Sequence, residues 1–443
     1  MIEKVLEILN SYENILILWF GREWKTSYNF IRKHLPGKKL TILDENQIGE
    51  IDDENTEILI EKITIDRLKQ FDLIIKTPGI SFKWMDTEWL NISSQLELLL
   101  EIDSQNVIWI TGTKGKSTTT TLLYEVIKNQ KENTFLLWNI WVPIFEQIEN
   151  FDEDSTLVIE CSSHQLQYIK TSPHIAILLN LYPEHLDHYN SLQEYYDSKL
   201  NIFKYQKVWD YSIFDEQVIK TVPLYERGYG EAEGIFNAAH KIEIWKDIWV
   251  QWDYVVMDWK EIYGVNEKRN LLWEHNLRNI MNIFVVCDIL WLDFEKAKKV
   301  ISEFKPLEHR MELVWTFDWV TYYNDSIATI PESTINSLKS IPNVNTLILW
   351  WMDRWIDYSK LIEFVNNSNV ENIICLPKTG HDLQPKLTKK TYKAEDLVNA
   401  VEIAKDVTKK WTVCLLSPAA SSYTFFKNFE ERGRLFKEYV KKS

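Results

Sequence analysis

Thr111-Gly112-Thr113-Lys114-Gly115-Lys116-Ser117-Thr118 is the stretch on which the reading of the whole chain turns. It follows a short apolar run, Val107-Ile108-Trp109-Ile110, and leads into a helix-compatible run from Thr119 to Lys128. Strand, glycine-containing loop and helix in that order make a phosphate cradle. Loop N–H groups and the helix N-terminus point at anionic oxygens. Lys116 brings a point charge to the terminal phosphates, and Ser117 or Thr118 a hydroxyl for Mg²⁺. The strict loop spacing places a glycine at position 110, where Ile110 stands, so this is a variant whose first glycine is Gly112. An ordinary βα turn rarely carries Gly-Lys-Ser-Thr at a helix start, so ATP binding is the expectation.

The bulk properties narrow what the nucleotide serves. A chain of 443 residues suggests about three domains. A formal charge of −15 argues against nucleic acid or an anionic membrane as the main partner. The start, Met1-Ile2-Glu3-Lys4, has no leader pattern, and apolar runs such as Ile175 to Leu181 are too short to span a bilayer. Cys161, Cys287, Cys375 and Cys414 lie far apart without metal-type spacing. Buried thiols in a reducing cytoplasm are expected.

The composition holds one anomaly: 20 Trp and only 12 Gly. Average usage gives about 31 Gly for this length, and 12 + 20 is 32. Several Trp stand at strand ends and turns, where glycine provides φ > 0 or close backbone approach. Examples are Trp19 and Trp24, Trp138 and Trp141 around Asn139, and Trp350-Trp351. Trp245, Trp249, Trp252 and Trp259 recur at hairpin-like intervals. The expectation is that most of these positions are glycine in the organism, through a UGA codon decoded there as Gly and written here as Trp.

Alternating strands and helices give three α/β units and parallel sheets. In residues 1–104, a strand at Asn14 to Leu18 precedes Trp19-Phe20-Gly21-Arg22-Glu23-Trp24, close to a dinucleotide-type fingerprint once glycine stands at 19 and 24. A second strand ends in Asp44, placed for a ribose or uridine contact, and a third runs into Lys76-Thr77-Pro78-Gly79. Residues 105–305 hold the phosphate loop. There, one strand ends in Glu160 and another leads to Pro183-Glu184-His185-Leu186-Asp187-His188, whose two histidines suit either a metal site or a solvated loop. On pattern alone, Lys199 is a solvated helix lysine. Residues 306–443 form the last unit, with strands ending at Asp325 and before Ser417.

These landmarks together resemble the Mur ligases of peptidoglycan synthesis over essentially the whole chain. Those that carry the resemblance are Thr111 to Thr118, Glu160-Cys161-Ser162-Ser163-His164-Gln165, Pro183 to Asp187, His275 to Asn279 and His309-Arg310. The family pattern also has glycine at Trp109, Trp138, Trp141, Trp273, Trp350 and Trp351. The C-terminal Ser417-Pro418-Ala419-Ala420-Ser421-Ser422, with Phe426 to Gly433, resembles the D-glutamate-adding branch.

The resemblance implies three domains: Rossmann-like, P-loop ATPase and Rossmann-like, for a UDP-sugar, ATP and an amino acid. It implies an ATP-dependent ligase that adds D-glutamate to UDP-MurNAc-L-alanine through an acyl phosphate. Gly112, Thr113, Lys114, Gly115, Lys116, Ser117 and Thr118, with Asn279, Arg310 and Asp325, are then the ATP contacts. Ser117, Glu160, His185 and Lys199 hold two Mg²⁺ ions, Lys199 as a carbamate formed with CO₂. Lys116, His185 and Lys199 are the catalytic set. Gly21, Arg22, Asp44 and Thr77 meet the UDP end, and Asn139 the substrate. Arg354, Ser417 and Phe425 or Phe426 surround D-glutamate. Arg354 stands where some relatives carry Lys, and Ile327 where many do; Arg forks a carboxylate where Lys offers a point charge.

The resemblance further implies a cytoplasmic monomer. Alternatives are another Mur-type or folylpolyglutamate-type amide ligase, or a P-loop nucleotide-binding protein without ligase activity, which would show no amino-acid dependence of ATP turnover.

Overall fold

The computed structural model describes every residue except 19–21, 46–50, 138–142, 184–187, 222–239, 272–273, 306–307, 330, 350–357, 378–379, 382–383, 421, 423–424 and 443. Gly21, Asn139, His185 and Arg354 therefore lie outside the described residues, as does the side chain of Arg22. So do Trp19, Trp138, Trp141, Trp273, Trp350 and Trp351.

The chain forms two compact units, Met1–Phe304 and Lys305–Ser443. The first holds two sheets. Strands β1 (Ile15–Leu18), β2 (Leu40–Asp44), β3 (Thr56–Ile60), β4 (Leu73–Lys76) and β5 (Ile92–Ser93) pair in the order β3-β2-β1-β4-β5, all parallel. β1, β2 and β4 are buried along their whole length, because helices cover both faces of a parallel sheet. The order reverses at β1, so a crevice opens beyond the carboxyl ends of β1 and its neighbours.

The second sheet contains β6 (Val107–Thr111), β7 (Thr134–Leu137), β8 (Thr156–Glu160), β9 (Ile175–Leu178), β10 (Tyr211–Asp215), β11 (His240–Ile244), β12 (Ile248–Gln251), β13 (Tyr254–Met257) and β14 (Lys260–Gly264). Their order is β14-β13-β12-β11-β10-β9-β6-β8-β7. β6, which carries the glycine loop, lies between β8 and β9 and is again where the order reverses. One core cluster runs from Val5 through Leu99 and Trp109 to Phe203, joining the two sheets of this unit.

In the second unit, β15 (Glu312–Phe317), β16 (Val320–Asn324), β17 (Val344–Leu349), β18 (Asn372–Cys375), β19 (Lys390–Lys393) and β20 (Val413–Leu416) pair as β15-β16-β20-β17-β18-β19. Only the β15–β16 pair is antiparallel. The mixed α/β class and predominantly parallel sheets expected from the alternating pattern are observed. Sequence reading passed over β3, β5, β7, β15 and β19. β3, β15 and β19 have exposed or half-buried positions and give a weak apolar signal. The last long helix before β20 starts at Leu397 rather than Ala394, with Asp396 capping it.

All four cysteines are free and buried. Among the described residues, no helix is long and apolar enough to cross a membrane.

Candidate active site

The glycine loop leaves β6 at Thr111 and enters a helix at Lys116, three residues before the apolar pattern alone would start it. Gly115 is its N-cap in left-handed backbone, φ 83°, and Gly112 has φ 153°. The N–H groups of Lys116, Ser117 and Thr118 thus belong to the first helical turn, which has no intrahelical acceptors. Neighbours crowd both glycines. A Cβ at Gly112 would meet Leu179 Cβ at 3.0 Å, and one at Gly115 would meet Asn279 Oδ1 at 3.1 Å. Asn279, on the helix Glu274–Ile289, therefore sits against the loop.

Side chains fix the loop from below. Asn180, just after β9, accepts the Lys114 N–H at 2.8 Å and donates to the Lys114 carbonyl at 3.0 Å. Thr113 Oγ1 accepts from Tyr182 N at 2.9 Å and lies 3.0 Å from the Tyr195 hydroxyl. Sequence reading missed Asn180 and Tyr195 as loop supports; a polar residue at the end of a buried strand was the available signal for Asn180. Lys116 Nζ donates to the carbonyls of Gly112 and Thr113, at 3.0 and 3.2 Å.

Lys199 departs from the pattern-based reading. It is 2% exposed, on the helix Leu192–Lys204. Its Nζ donates to the Gly112 carbonyl at 3.0 Å and to Thr111 Oγ1 at 3.3 Å. The helix face that holds Tyr195 and Phe203 packs into the core and carries Lys199 in with it. Glu160, buried at the end of β8, pairs in register with Ile110. Burial and the Glu160 charge push the Cys161 thiol well up, while the Lys199 charge opposes them. Thr111 Oγ1, which accepts from Lys199 Nζ, donates to the carbonyl of Cys161 at 2.8 Å, so Lys199 and the Glu160 strand end lie in one neighbourhood beside the loop. Ser117 is buried one residue after Lys116. A hydroxyl and a carboxylate are the oxygen donors Mg²⁺ prefers, with phosphate oxygens and water completing its shell. No cluster of three or more His, Cys, Asp or Glu occurs among the described residues. His188 turns to its own surroundings, its ring 4.0 Å from that of His164.

At the first sheet, Asp44 closes β2 and Thr77 follows β4, both buried, on either side of the end of β1. Lys76, Pro78, Ser93 and Ser94 line a cavity with His164, Gln165 and Tyr168, which follow β8. Neither Thr77 nor Glu160 itself lines it; the cavity is bordered by their chain neighbours Lys76, Pro78, His164 and Gln165.

The second unit gathers its own polar centre. Asp325, just past β16, is fully buried. Ser337 Oγ donates to its Oδ2 at 2.5 Å, Ser417 Oγ lies 2.8 Å from the same oxygen, and Met311 N donates to Oδ1 at 3.2 Å. Burial lifts the Asp325 carboxyl to about 6, against the lowering hydrogen bonds and the Arg310 charge. Arg310 Nε is buried without a hydrogen-bond partner among the described residues. Arg432, on the helix Phe429–Lys441, donates to Ser326 Oγ at 2.9 Å and to the carbonyls of Ser326 and Ala420 at 2.6 and 3.0 Å. It ties the two strand-end loops together. Asp325 and Ser417, assigned to different ligands from sequence, thus form one network. Phe425 is 48% exposed, whereas Phe426 packs on the β16–β20 core.

Comparison with known proteins now adds to this geometry. Residues 110–286 match the model of the Mur ligase middle domain. A UDP-N-acetylmuramoylalanine–D-glutamate ligase of Clostridium kluyveri is 30% identical over 427 residues, covering 91% of this chain and 92% of the relative. A protein of the same name from Geobacter sp. is 33% identical over 394 residues, covering 84% and 83%. The fold is similar to that of Thermotoga maritima MurF ligase solved with ADP, with a TM-score of 0.54 and 16% identity over 97% of this chain and 95% of that one. The chain belongs to the Mur ligase family.

Proposed function

We propose that this Mur ligase joins D-glutamate to UDP-N-acetylmuramoyl-L-alanine with ATP, in peptidoglycan synthesis. The activity named for its relatives supports these substrates. The single observation that carries the chemistry is the buried Lys199 ammonium, 3.0 Å from the Gly112 carbonyl of the phosphate loop and close to Glu160. A nucleotide switch has no use for a buried lysine there. A ligase that carbamylates it with CO₂ gains an anionic oxygen donor.

In this reading the loop amides of Gly112 to Thr118 and the Lys116 ammonium hold the triphosphate. Asn279, Arg310 and Asp325 add nucleotide contacts. Ser117, Glu160, His185 and carbamylated Lys199 are the residues that would hold two Mg²⁺ ions, which when bound neutralise phosphate charge. A substrate carboxylate oxygen takes the γ-phosphoryl group, giving an acyl phosphate and ADP. The D-glutamate amine then attacks the carbonyl carbon, loses its proton, and the tetrahedral intermediate expels phosphate. Positioning and charge neutralisation supply the rate. Residues 1–104 bind the UDP end through Gly21, Arg22, Asp44 and Thr77; residues 105–305 bind ATP, with Asn139 meeting the substrate; residues 306–443 bind D-glutamate through Arg354, Ser417 and Phe425 or Phe426. The protein acts as a cytoplasmic monomer.

The test is phosphate release from ATP with Mg²⁺, bicarbonate and UDP-MurNAc-L-alanine, with and without D-glutamate, by the chain carrying glycine at its anomalous Trp positions. Release that requires D-glutamate is expected. Release that requires a different amino acid moves the specificity, and release indifferent to any amino acid removes the ligase reading.

A further inference from the structure

Thirteen of the 20 Trp have a described backbone, those at 19, 138, 141, 273, 350, 351 and 355 being excluded. Seven of these thirteen have positive φ: Trp84, Trp245, Trp252, Trp259, Trp291, Trp319 and Trp411. Among the described residues, all other non-glycine types together contribute six such residues: Asp258, His309, Met311, Asp318, Asn343 and Ala419. Left-handed backbone is a genuine outlier for a bulky residue and routine for glycine.

The turns themselves name the residue they need. Trp291, φ 57°, follows the helix Glu274–Ile289; its N–H bonds the Asp288 carbonyl at 3.1 Å, and Leu292 N–H bonds the Cys287 carbonyl at 2.8 Å. That is the Schellman ending, whose left-handed position is usually glycine. Asp258-Trp259 joins β13 to β14 and Asp318-Trp319 joins β15 to β16, each a two-residue hairpin loop with both φ values positive. This is the type I′ turn, for which Asp-Gly is a preferred pair. Trp252-Asp253 joins β12 to β13 with only its first residue at positive φ, the type II′ arrangement with glycine first. Trp84, φ 70°, is third in the turn closed by Met85 N to Phe82 O at 2.9 Å, where a type II turn requires glycine.

Some of the indoles do pack, Trp319 stacking on Trp411 at 4.3 Å between ring centroids and Trp245 lying against the core, but others contribute little. Those of Trp252 and Trp291 are 90% and 94% exposed. Trp245 buries its Nε1 without a hydrogen-bond partner, and so does Trp109 in the middle of β6. A buried N–H without an acceptor is destabilising.

We infer that these seven tryptophans, and Trp109 with them, are glycine in the polypeptide the source cell makes. The cell reads UGA as glycine through a glycine-charged tRNA, and the sequence as written translates that codon by the standard table. The assignment of the seven rests on backbone geometry and that of Trp109 on its buried, unpartnered Nε1; neither depends on the ligase reading.

The deciding measurement is the mass of the tryptic peptide Asp247–Lys260 from protein isolated from the source cells, read with the codons of the gene. The peptide contains Trp249, Trp252 and Trp259. UGA codons and glycine masses at 252 and 259 are expected. Indole masses at either position, or UGG codons there, overturn the inference. A second measurement uses the chain with Trp made in a standard host. Trp291→Gly and Trp319→Gly raise the thermal midpoint, whereas Trp291→Ala and Trp319→Ala do not, because alanine shares the left-handed penalty. Equal effects of Gly and Ala would also overturn it.

Discussion

The phosphate loop and the β12–β14 hairpins lie in the same sheet and both turn through positive φ, yet they hold their glycine positions for different reasons. In the loop, Gly112 and Gly115 are required twice, by φ and by neighbours that would stand 3.0 and 3.1 Å from an added Cβ. In the hairpins, Trp252 and Trp259 stand where only φ demands glycine, and their side chains run out into water. A wrong residue in the hairpin costs about 1–2 kcal/mol of backbone strain. A wrong residue in the loop also displaces Leu179 or Asn279, the side chains packed against it. Conformational and packing constraints coincide at the functional loop and separate at the turns.

The sharpest test of the loop side is Lys116→Ala. Removing one preorganised charge should lower D-glutamate-dependent phosphate release by about 10²–10³-fold. The melting temperature should hardly move, because the ammonium's hydrogen bonds to the Gly112 and Thr113 carbonyls stay within the loop. A fall of less than tenfold would break the assignment of this loop as the nucleotide cradle.

Next in size is a pH effect in the second unit, where burial rather than backbone geometry sets the strain. Asp325 has its carboxyl raised from 3.8 to about 6. The folded state holds a proton that the unfolded chain has released, so its contribution to stability is full below about 4 and is lost as pH rises toward 6. The loss amounts to up to about 3 kcal/mol. Urea unfolding at several pH values should show the decline, and Asp325→Asn should flatten it. An unchanged profile in the variant would mean that another buried acid sets the slope.

Two smaller effects measure the comparison directly. Gly115→Ala should destabilise by about 1–3 kcal/mol through its left-handed backbone and weaken ATP binding through Asn279, measured by calorimetry. Trp252→Ala, which exchanges one non-glycine residue for another at φ 57° in open surroundings, should change stability by less than about 0.5 kcal/mol. Similar losses from both would erase the distinction between a constrained loop and a free turn.

Much was legible before the fold. β1, β4, β6, β8, β9 and β20 are short apolar runs, and a buried parallel strand must be one. The loop from Gly112 to Ser117 declares its chemistry by spacing. The excess of Trp over Gly pointed to turns whose positive φ the structure then displays at Trp245, Trp252 and Trp259, whereas Trp249, read with them, lies inside β12 opposite Val256. Edge strands such as β3 and β19 were invisible because a half-exposed strand lacks a continuous apolar signal.

The chain by itself determined the α/β class, the phosphate loop and the places that need glycine, because these follow from local spacing and backbone preference. Only tertiary structure decided that Lys199 is buried against Gly112, 87 residues away, that Asn180 clamps Lys114, and that Asp325 meets Ser417 across 92 residues. A helical lysine or a strand-end serine reads the same in sequence whether it faces water or a core. Its environment is fixed by which strands become neighbours, and that depends on burial summed over the whole sheet.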